Sequence, residues 1–186
     1  STEKFIFLKL RIDKININNE YGEKNYIIAP GRSNRDYEFL IKVLKNEKYD
    51  LKIICDSMAK EKKGKIQIYN DIMGDKYFSM LKNADCVIVP LKDKNISSGQ
   101  LVILQAMQLR VPIIVTEAMG ISDYIINGYN GIVINKSKTE LLEAIQKLED
   151  KDFRKKIVDN AYRDYLENYL LSSLGKNMGK IINRKG

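Results

Sequence analysis

The amino-acid sequence predicts an α/β fold, a doubly wound parallel sheet of about six strands completed by C-terminal helices. Three observations predict it. Short runs dominated by Ile and Val recur along the chain. These runs are apolar at successive positions rather than at alternate ones, as strands covered on both faces are. Between them lie stretches with apolar residues at helical spacing, the crossovers that parallel strands require.

Taken in order, residues 1–24 hold an apolar piece (5–10) and then an Asn/Lys/Ile-rich segment without a clear period, and are expected to form a strand and a linker. The first residue is Ser1, so the chain is expected to derive from a longer one. The regular pattern begins with a buried strand at 26–29, broken by Pro30-Gly31. A helix over 36–44 follows, with Asp36 as N-cap and Phe39, Leu40, Val43 and Leu44 on one face. Strand 51–55, loop 56–64, strand 65–69, helix 75–82 and strand 86–89 come next. A small-residue turn (Ser97, Ser98, Gly99) then opens a helix with Leu101, Ile103, Leu104 and Met107 at helical spacing, and strand 112–115 follows at once. A short helix over 120–126, a turn at 127–131 and a last strand at 132–134 lead to three helices, 138–148, 152–168 and 172–183. The expected division is 1–24, a main domain at 25–171, and a C-terminal helix within 172–186.

Composition narrows the function. A chain of 186 residues, 44% hydrophobic and 30% charged, has an ordinary globular balance and can bury a core. No apolar run approaches the roughly 20 residues of a membrane helix. The N-terminus lacks signal-peptide order, so a cytoplasmic location is expected. Cys55 and Cys86 sit in apolar runs and read as buried thiols, without disulfide or metal-ligand spacing. There is no histidine, which removes Ser-His and Cys-His hydrolases. The net charge of +8 suits anionic partners without choosing among them. No nucleic-acid-binding motif occurs, so nucleic acid is not an expected partner.

Neither a Gly-x-Gly-x-x-Gly turn nor a phosphate-binding Gly-x-x-x-x-Gly-Lys loop is present. Instead PGRSNRD follows the first main strand. It places Arg32 and Arg35 at the carboxyl end of that strand, where ligands of open α/β sheets bind and where a guanidinium grips a diphosphate through paired hydrogen bonds. A surface arginine pair also serves for solvation alone. The second half of the expected site is the turn at 97–99, because the free N–H groups of Gly99, Gln100 and Leu101 at a helix start attract anions. Gln105, two turns into that helix, can hydrogen-bond a sugar hydroxyl or merely face water.

The ordered series PGRSNRDYEFL, LKIICDSM, KIQIYNDI, YFSMLKNADCVIVPL, SSGQLVILQAM and VPIIVTEAMGISDYIINGYNGIVI resembles the nucleotide-sugar-binding C-terminal domain of family 4 (group 1) glycosyltransferases of the GT-B architecture, whose fold is Rossmann-like. The family's Gly-Arg loop matches Gly31-Arg32, its basic loop residue is matched to Arg35, and its Asn/Asp-Gly-x-x-Gly turn matches 127–131. Such enzymes move a sugar from a nucleoside diphosphate to an acceptor with retained configuration, usually without a metal or other cofactor. The resemblance implies that Arg32 and Arg35 neutralise the leaving diphosphate and that backbone amides from Gly99 to Val102 hold its phosphates. It places residues near Asn70 and Asp71 at the base.

Two positions depart from the family. Its pair of glutamates, with seven residues between them, falls on Ser97 and Gln105. Gln105 keeps one acceptor oxygen but not the charge that strengthens such bonds. A subfamily with altered donor contacts and a non-catalytic binding module both fit this departure, and the intact arginine loop favours the first. The family binds a glycan or lipid-linked acceptor in an N-terminal lobe, and this sequence contains no second set of strands to build one. Alone, the chain is expected to bind a nucleotide sugar without transferring it. Helix 172–183 is expected to return to that lobe, and peripheral contact with the inner membrane face is a further expectation.

Overall fold

The computed structural model describes residues 8–17 and 25–173. Seven strands form one sheet: β1 (Ile27–Pro30), β2 (Leu51–Ile54), β3 (Glu61–Lys63), β4 (Ile66–Tyr69), β5 (Cys86–Val89), β6 (Ile113–Thr116) and β7 (Ile132–Ile134). Their order is β3-β4-β2-β1-β5-β6-β7. Every neighbouring pair is parallel except β3, which runs antiparallel to β4.

All six strands expected between residues 26 and 134 are present, with ends shifted by at most one residue. The seventh, β3, corrects the expected loop 56–64. Its three residues, Glu61, Lys62 and Lys63, are all exposed, so no hydrophobic pattern marks them. Gly64, at φ 58°, turns the chain back into β4. Lysines on an edge strand discourage pairing with another chain.

The successive apolar residues of each strand divide between the two sheet faces. Ile28, Val87, Val89, Ile113 and Val115 enter one core with residues of α2 (Gly74–Lys82) and α3 (Gln100–Gln108). Ile27, Ala29, Ile53, Cys86, Ile88 and Ile114 enter the other with α1 (Tyr37–Leu44) and α4 (Lys138–Lys147). Helix α5 (Lys151–Asp164) serves both, through Ile157 on one side and Ala161 on the other. Burial at this level is worth about 1.5–3 kcal/mol per large apolar side chain, which is why the inner strands β1 and β5 run apolar without alternation. Cys55 and Cys86 are both buried free thiols.

Two expected helices differ. Residues 120–126 form only a run of turns, closed by Ile125 N–H donating to the Ile121 carbonyl at 2.8 Å. Gly120, at φ 77°, lies outside the helical region. The expected helix 152–168 is α-helical only to Asp164 and continues as a π-helix, Tyr165–Tyr169. Both terminal tyrosines of this turn are buried, and Tyr169 stacks on Tyr124 with ring centroids 5.3 Å apart. Residues 8–17 cross this region, where Ile12 pairs with Leu170 and Gln108 donates to the Asp13 carbonyl at 2.9 Å. Residues 5–7 of the expected strand 5–10 lie outside the described residues, and residues 8–10 form no strand. The C-terminal helix 172–183 also lies outside the described residues, apart from a 3₁₀ turn at Leu171–Ser173.

Asp36 caps α1 as expected, accepting the Phe39 N–H at 3.0 Å and the Lys136 ammonium at 2.9 Å. Burial pushes its carboxyl up, but these two bonds outweigh it and hold the group below its ordinary 3.8. A depressed carboxyl stabilises the fold fully above its unfolded value, and the contribution is lost as pH falls through the folded value. Asp36→Asn keeps a capping oxygen and removes the charge facing Lys136, and is therefore expected to lower stability at neutral pH by about 0.5–1 kcal/mol, the scale of such an ion pair. The deficit should shrink below pH 3.8, as read from urea midpoints across pH.

Candidate functional site

The chain runs from β1 outward to β2 and returns to β5 on β1's other side, so strand order reverses between β1 and β5. The crevice at the carboxyl ends of those two strands is the position where open α/β sheets bind ligands. Two loops enclose it, residues 31–36 after β1 and residues 90–99 after β5.

The loops are pinned to each other. The Asn34 side chain donates to the Asp93 carbonyl at 2.9 Å and accepts the Asp93 N–H at 2.7 Å. Asp36 N–H donates to the Pro90 carbonyl at 2.6 Å, and Arg35 forms an isolated antiparallel bridge with Leu91. Lys136, beyond β7, ties Asp36 to the Lys92 carbonyl at 2.6 Å. Asn34 adopts φ 54°, a left-handed conformation that asparagine tolerates better than most residues.

Within this frame Arg35 turns its guanidinium toward the crevice. It donates through Nε to the Pro30 carbonyl at 3.3 Å and through Nη1 to the Ser33 carbonyl at 2.7 Å and Ser98 Oγ at 3.2 Å. Among the described residues no carboxylate pairs with it, and burial pushes the guanidinium below its ordinary value. It remains protonated all the same, since arginine does not deprotonate in proteins. Gly31 makes room for it, and Gly99 makes room for Val89 beside it. A Cβ on Gly31 (φ 133°) would lie 2.7 Å from Arg35 Nε, and one on Gly99 (φ 91°) would lie 2.8 Å from Val89 Cγ1 and 3.8 Å from Arg35 Nη2.

Arg32 is placed differently. Its side chain is 70% exposed and pairs with Asp56 at the end of β2. Asp56 also accepts the Asp71 N–H at 2.9 Å, and that bond, against a smaller effect of burial, lowers its carboxyl below the ordinary value, with Arg32 assisting. Asn70 commits its amide to the Cys55 and Met58 carbonyls, at 2.8 and 2.7 Å. It thereby shapes the loop after β2. Neither Asn70 nor Asp71 lines the main cleft; Ile72, Met73 and Gly74 do.

Helix α3 begins at the crevice with Gly99 in the left-handed conformation and no side-chain cap. Its first intrahelical bond runs from Ile103 N–H to the Gly99 carbonyl at 3.0 Å, so the N–H groups of Gln100, Leu101 and Val102 precede the hydrogen-bonded ladder. A nine-residue helix presents roughly half a positive charge at this end. Ser98 joins Arg35, whereas Ser97 accepts a 2.6 Å bond from Gln100 and packs where a Cβ on Gly120 would fall. Gln105 faces the cleft and accepts the Tyr77 hydroxyl at 2.9 Å.

The cleft measures about 400 Å³ and runs from Gly31 and Arg32 past Cys55 and Tyr77 to Leu101, Val102 and Gln105. Met73 and Leu101, 75% and 51% exposed, stand on its rim. A smaller cavity of about 220 Å³ adjoins it and includes both Arg32 and Arg35. Sequence reasoning missed Asp56 and Tyr77. Asp56 follows the apolar run of β2 directly, so the strand-end rule that selected Arg32 also points to it. Tyr77 has no such signal, because a tyrosine on an amphipathic helix reads as core.

The doubly wound sheet that carries this crevice has the fold of GT-B glycosyltransferase lobes. Residues 11–164 match the family described as glycosyl transferases group 1, and the chain belongs to that family. It is 26% identical over 172 residues to alpha-D-kanosaminyltransferase of Streptomyces kanamyceticus, covering 90% of this chain and 43% of that protein. Among solved structures, Anabaena Alr3699/HepE in complex with UDP-glucose superposes with a TM-score of 0.67 at 15% identity, over 86% of this chain and 49% of that one. The C-terminal domain of a group 1 glycosyl transferase, LpcC, from Francisella tularensis gives 0.64 at 18% identity, over 78% and 87%. The chain thus spans less than half the length of the curated relative it matches. Among the described residues no helix is long and apolar enough to cross a membrane.

Proposed function

We propose that this chain is the donor-binding lobe of a retaining glycosyltransferase that takes a sugar from a nucleoside diphosphate and passes it to a glycan or lipid-linked acceptor. Synthesis of a bacterial surface polysaccharide is the setting that fits such an activity. The observation that carries the reading is Arg35, a half-buried guanidinium without a carboxylate partner among the described residues, held beside the free amides of α3. A desolvated cation left uncompensated costs stability, and an anion arriving from solvent offsets that cost.

In this mechanism the diphosphate lies across Gly99 to Val102, with the α3 amides and Arg35 on its oxygens. Arg32 swings from Asp56 to add a second guanidinium. As the bond between sugar and phosphate breaks, negative charge accumulates on the leaving diphosphate, and these fixed donors stabilise it. The two arginines and the helix start supply the positive charge, so no metal or other cofactor is assigned. The complex with UDP-glucose of the Anabaena protein supports a nucleotide sugar as ligand. Acceptor binding falls to an N-terminal lobe, and the lobe alone binds donor without turning it over.

Titration calorimetry with UDP, GDP and their sugars tests this reading. Saturable binding of at least one is the expected result; no heat from any of them at millimolar concentration would sink it. A second reading, a non-catalytic nucleotide-binding module, draws on Ser97 and Gln105, which are neutral and already bonded to Gln100 and Tyr77. Donor hydrolysis by the full-length protein separates the two, since the module binds nucleotide and turns over none.

A further inference from the structure

On the donor-lobe reading, the pentose of the nucleotide must meet the few polar side chains of the main cleft. Arg32 and Asp56 pair with each other in the ligand-free fold, Asp56 also holding the Asp71 N–H, and the remaining lining is largely apolar: Ile54, Cys55, Ile72, Met73, Leu101 and Val102. Tyr77 and Gln105 are the other polar pair, joined by the 2.9 Å bond from the tyrosine hydroxyl to Gln105 Oε1. Burial pushes the Tyr77 hydroxyl up to about 12, so it stays protonated and donating at neutral pH.

We propose that Tyr77 and Gln105 form a charge-free sugar subsite whose acceptor is already satisfied from within the protein, so that the cleft discriminates weakly between ribose and 2′-deoxyribose. Tyr77 is here a positioning residue, acting through Gln105. Strong rejection of a ligand lacking one hydroxyl arises when that loss leaves a buried polar group of the site unpaired. Gln105 Oε1 keeps the Tyr77 hydroxyl whichever nucleotide enters. A deoxynucleotide therefore forgoes at most a neutral hydrogen bond, and leaves Oε1 paired.

The test compares UDP with 2′-deoxy-UDP by calorimetry on the chain and on two variants. For the unaltered chain the dissociation constants are expected to agree within about fivefold, the range of one neutral hydrogen bond. Tyr77→Phe strips Oε1 of its internal partner and makes it depend on the ligand, so the preference for UDP should rise by about tenfold. Gln105→Glu sets two charged oxygens against one tyrosine donor and should raise the preference in the same direction. A purely structural role for Tyr77 would weaken both ligands equally and leave the ratio unmoved, which overturns the proposal. So does a preference above about thirtyfold in the unaltered chain, beyond what a neutral bond supplies. Either of those results leaves the donor-lobe reading standing. Absence of binding by both nucleotides overturns that reading itself, and this proposal with it.

Discussion

Arg35→Ala is expected to weaken binding of a nucleoside diphosphate by about 100-fold or more while leaving thermal stability unchanged or slightly raised. Each charge-assisted hydrogen bond from a guanidinium to phosphate is worth about 1.5–3 kcal/mol, and the two hydrogens of Arg35 Nη2 are available for two of them. The stability half of the expectation follows from the surroundings. Arg35 gains only two carbonyls and one hydroxyl in the fold, with no carboxylate among the described residues, while burial opposes its charge. Removing a desolvated cation of this kind relieves a cost that the ligand-free fold carries. Arg32→Ala should weaken binding less, by about 10-fold, because Arg32 is 70% exposed and must first leave Asp56. Calorimetry with UDP and thermal melts of both variants check the pair. Equal losses, or a large fall in stability for Arg35→Ala, would show that the two guanidiniums are not differentiated as described.

The glycine pair should give the second large effect, with different signatures at its two members. Gly31→Ala introduces a Cβ 2.7 Å from the Arg35 guanidinium at a φ of 133°, which side-chain-bearing residues rarely adopt. The obstructed atoms end a flexible side chain, so Arg35 is displaced and nucleotide binding falls about as far as in Arg35→Ala, with about 1–2 kcal/mol of strain added. Gly99→Ala meets Val89, whose side chain is fully buried on the central strand β5 and cannot retreat. Left-handed strain and overpacking add to about 2–4 kcal/mol, and a shift of the α3 start disturbs the amides at the crevice. Urea denaturation should rank Gly99→Ala as the less stable variant, and UDP titration should show both impaired. A Gly31→Ala variant that binds UDP normally would mean that Arg35 does not need the space.

Much of the fold was legible because burial leaves a direct mark on sequence. Strands covered on both faces run apolar, as Cys86–Val89 do, and a helix cap such as Asp36 announces itself by residue type. What escaped notice was structure without burial. β3 is a lysine-rich edge strand exposed at each position, and the turns at 120–126 look helical because Ile121, Tyr124 and Ile125 are buried at helical spacing. The π-helix at Tyr165–Tyr169 depends on where two tyrosine rings fit against residues far away in the chain, and no local pattern encodes that.

The sequence by itself determined that a doubly wound sheet would carry an arginine loop and a glycine-led helix start at its carboxyl edge. Strand-end position and residue type suffice for that much, being local properties. Only the tertiary structure decided how the pieces divide the work. In sequence, Arg32 and Arg35 are equivalent neighbours; in space one is exposed and neutralised by Asp56, and the other is half-buried against Gly31 without a counter-charge among the described residues. Likewise Gln105 gains its partner Tyr77 from another helix, and Asn70, expected at the base, instead holds two carbonyls of a loop. The reason is physical: charge compensation and hydrogen-bond satisfaction are pairwise properties, and the partners come from different loops and helices that only the folded sheet brings to one edge.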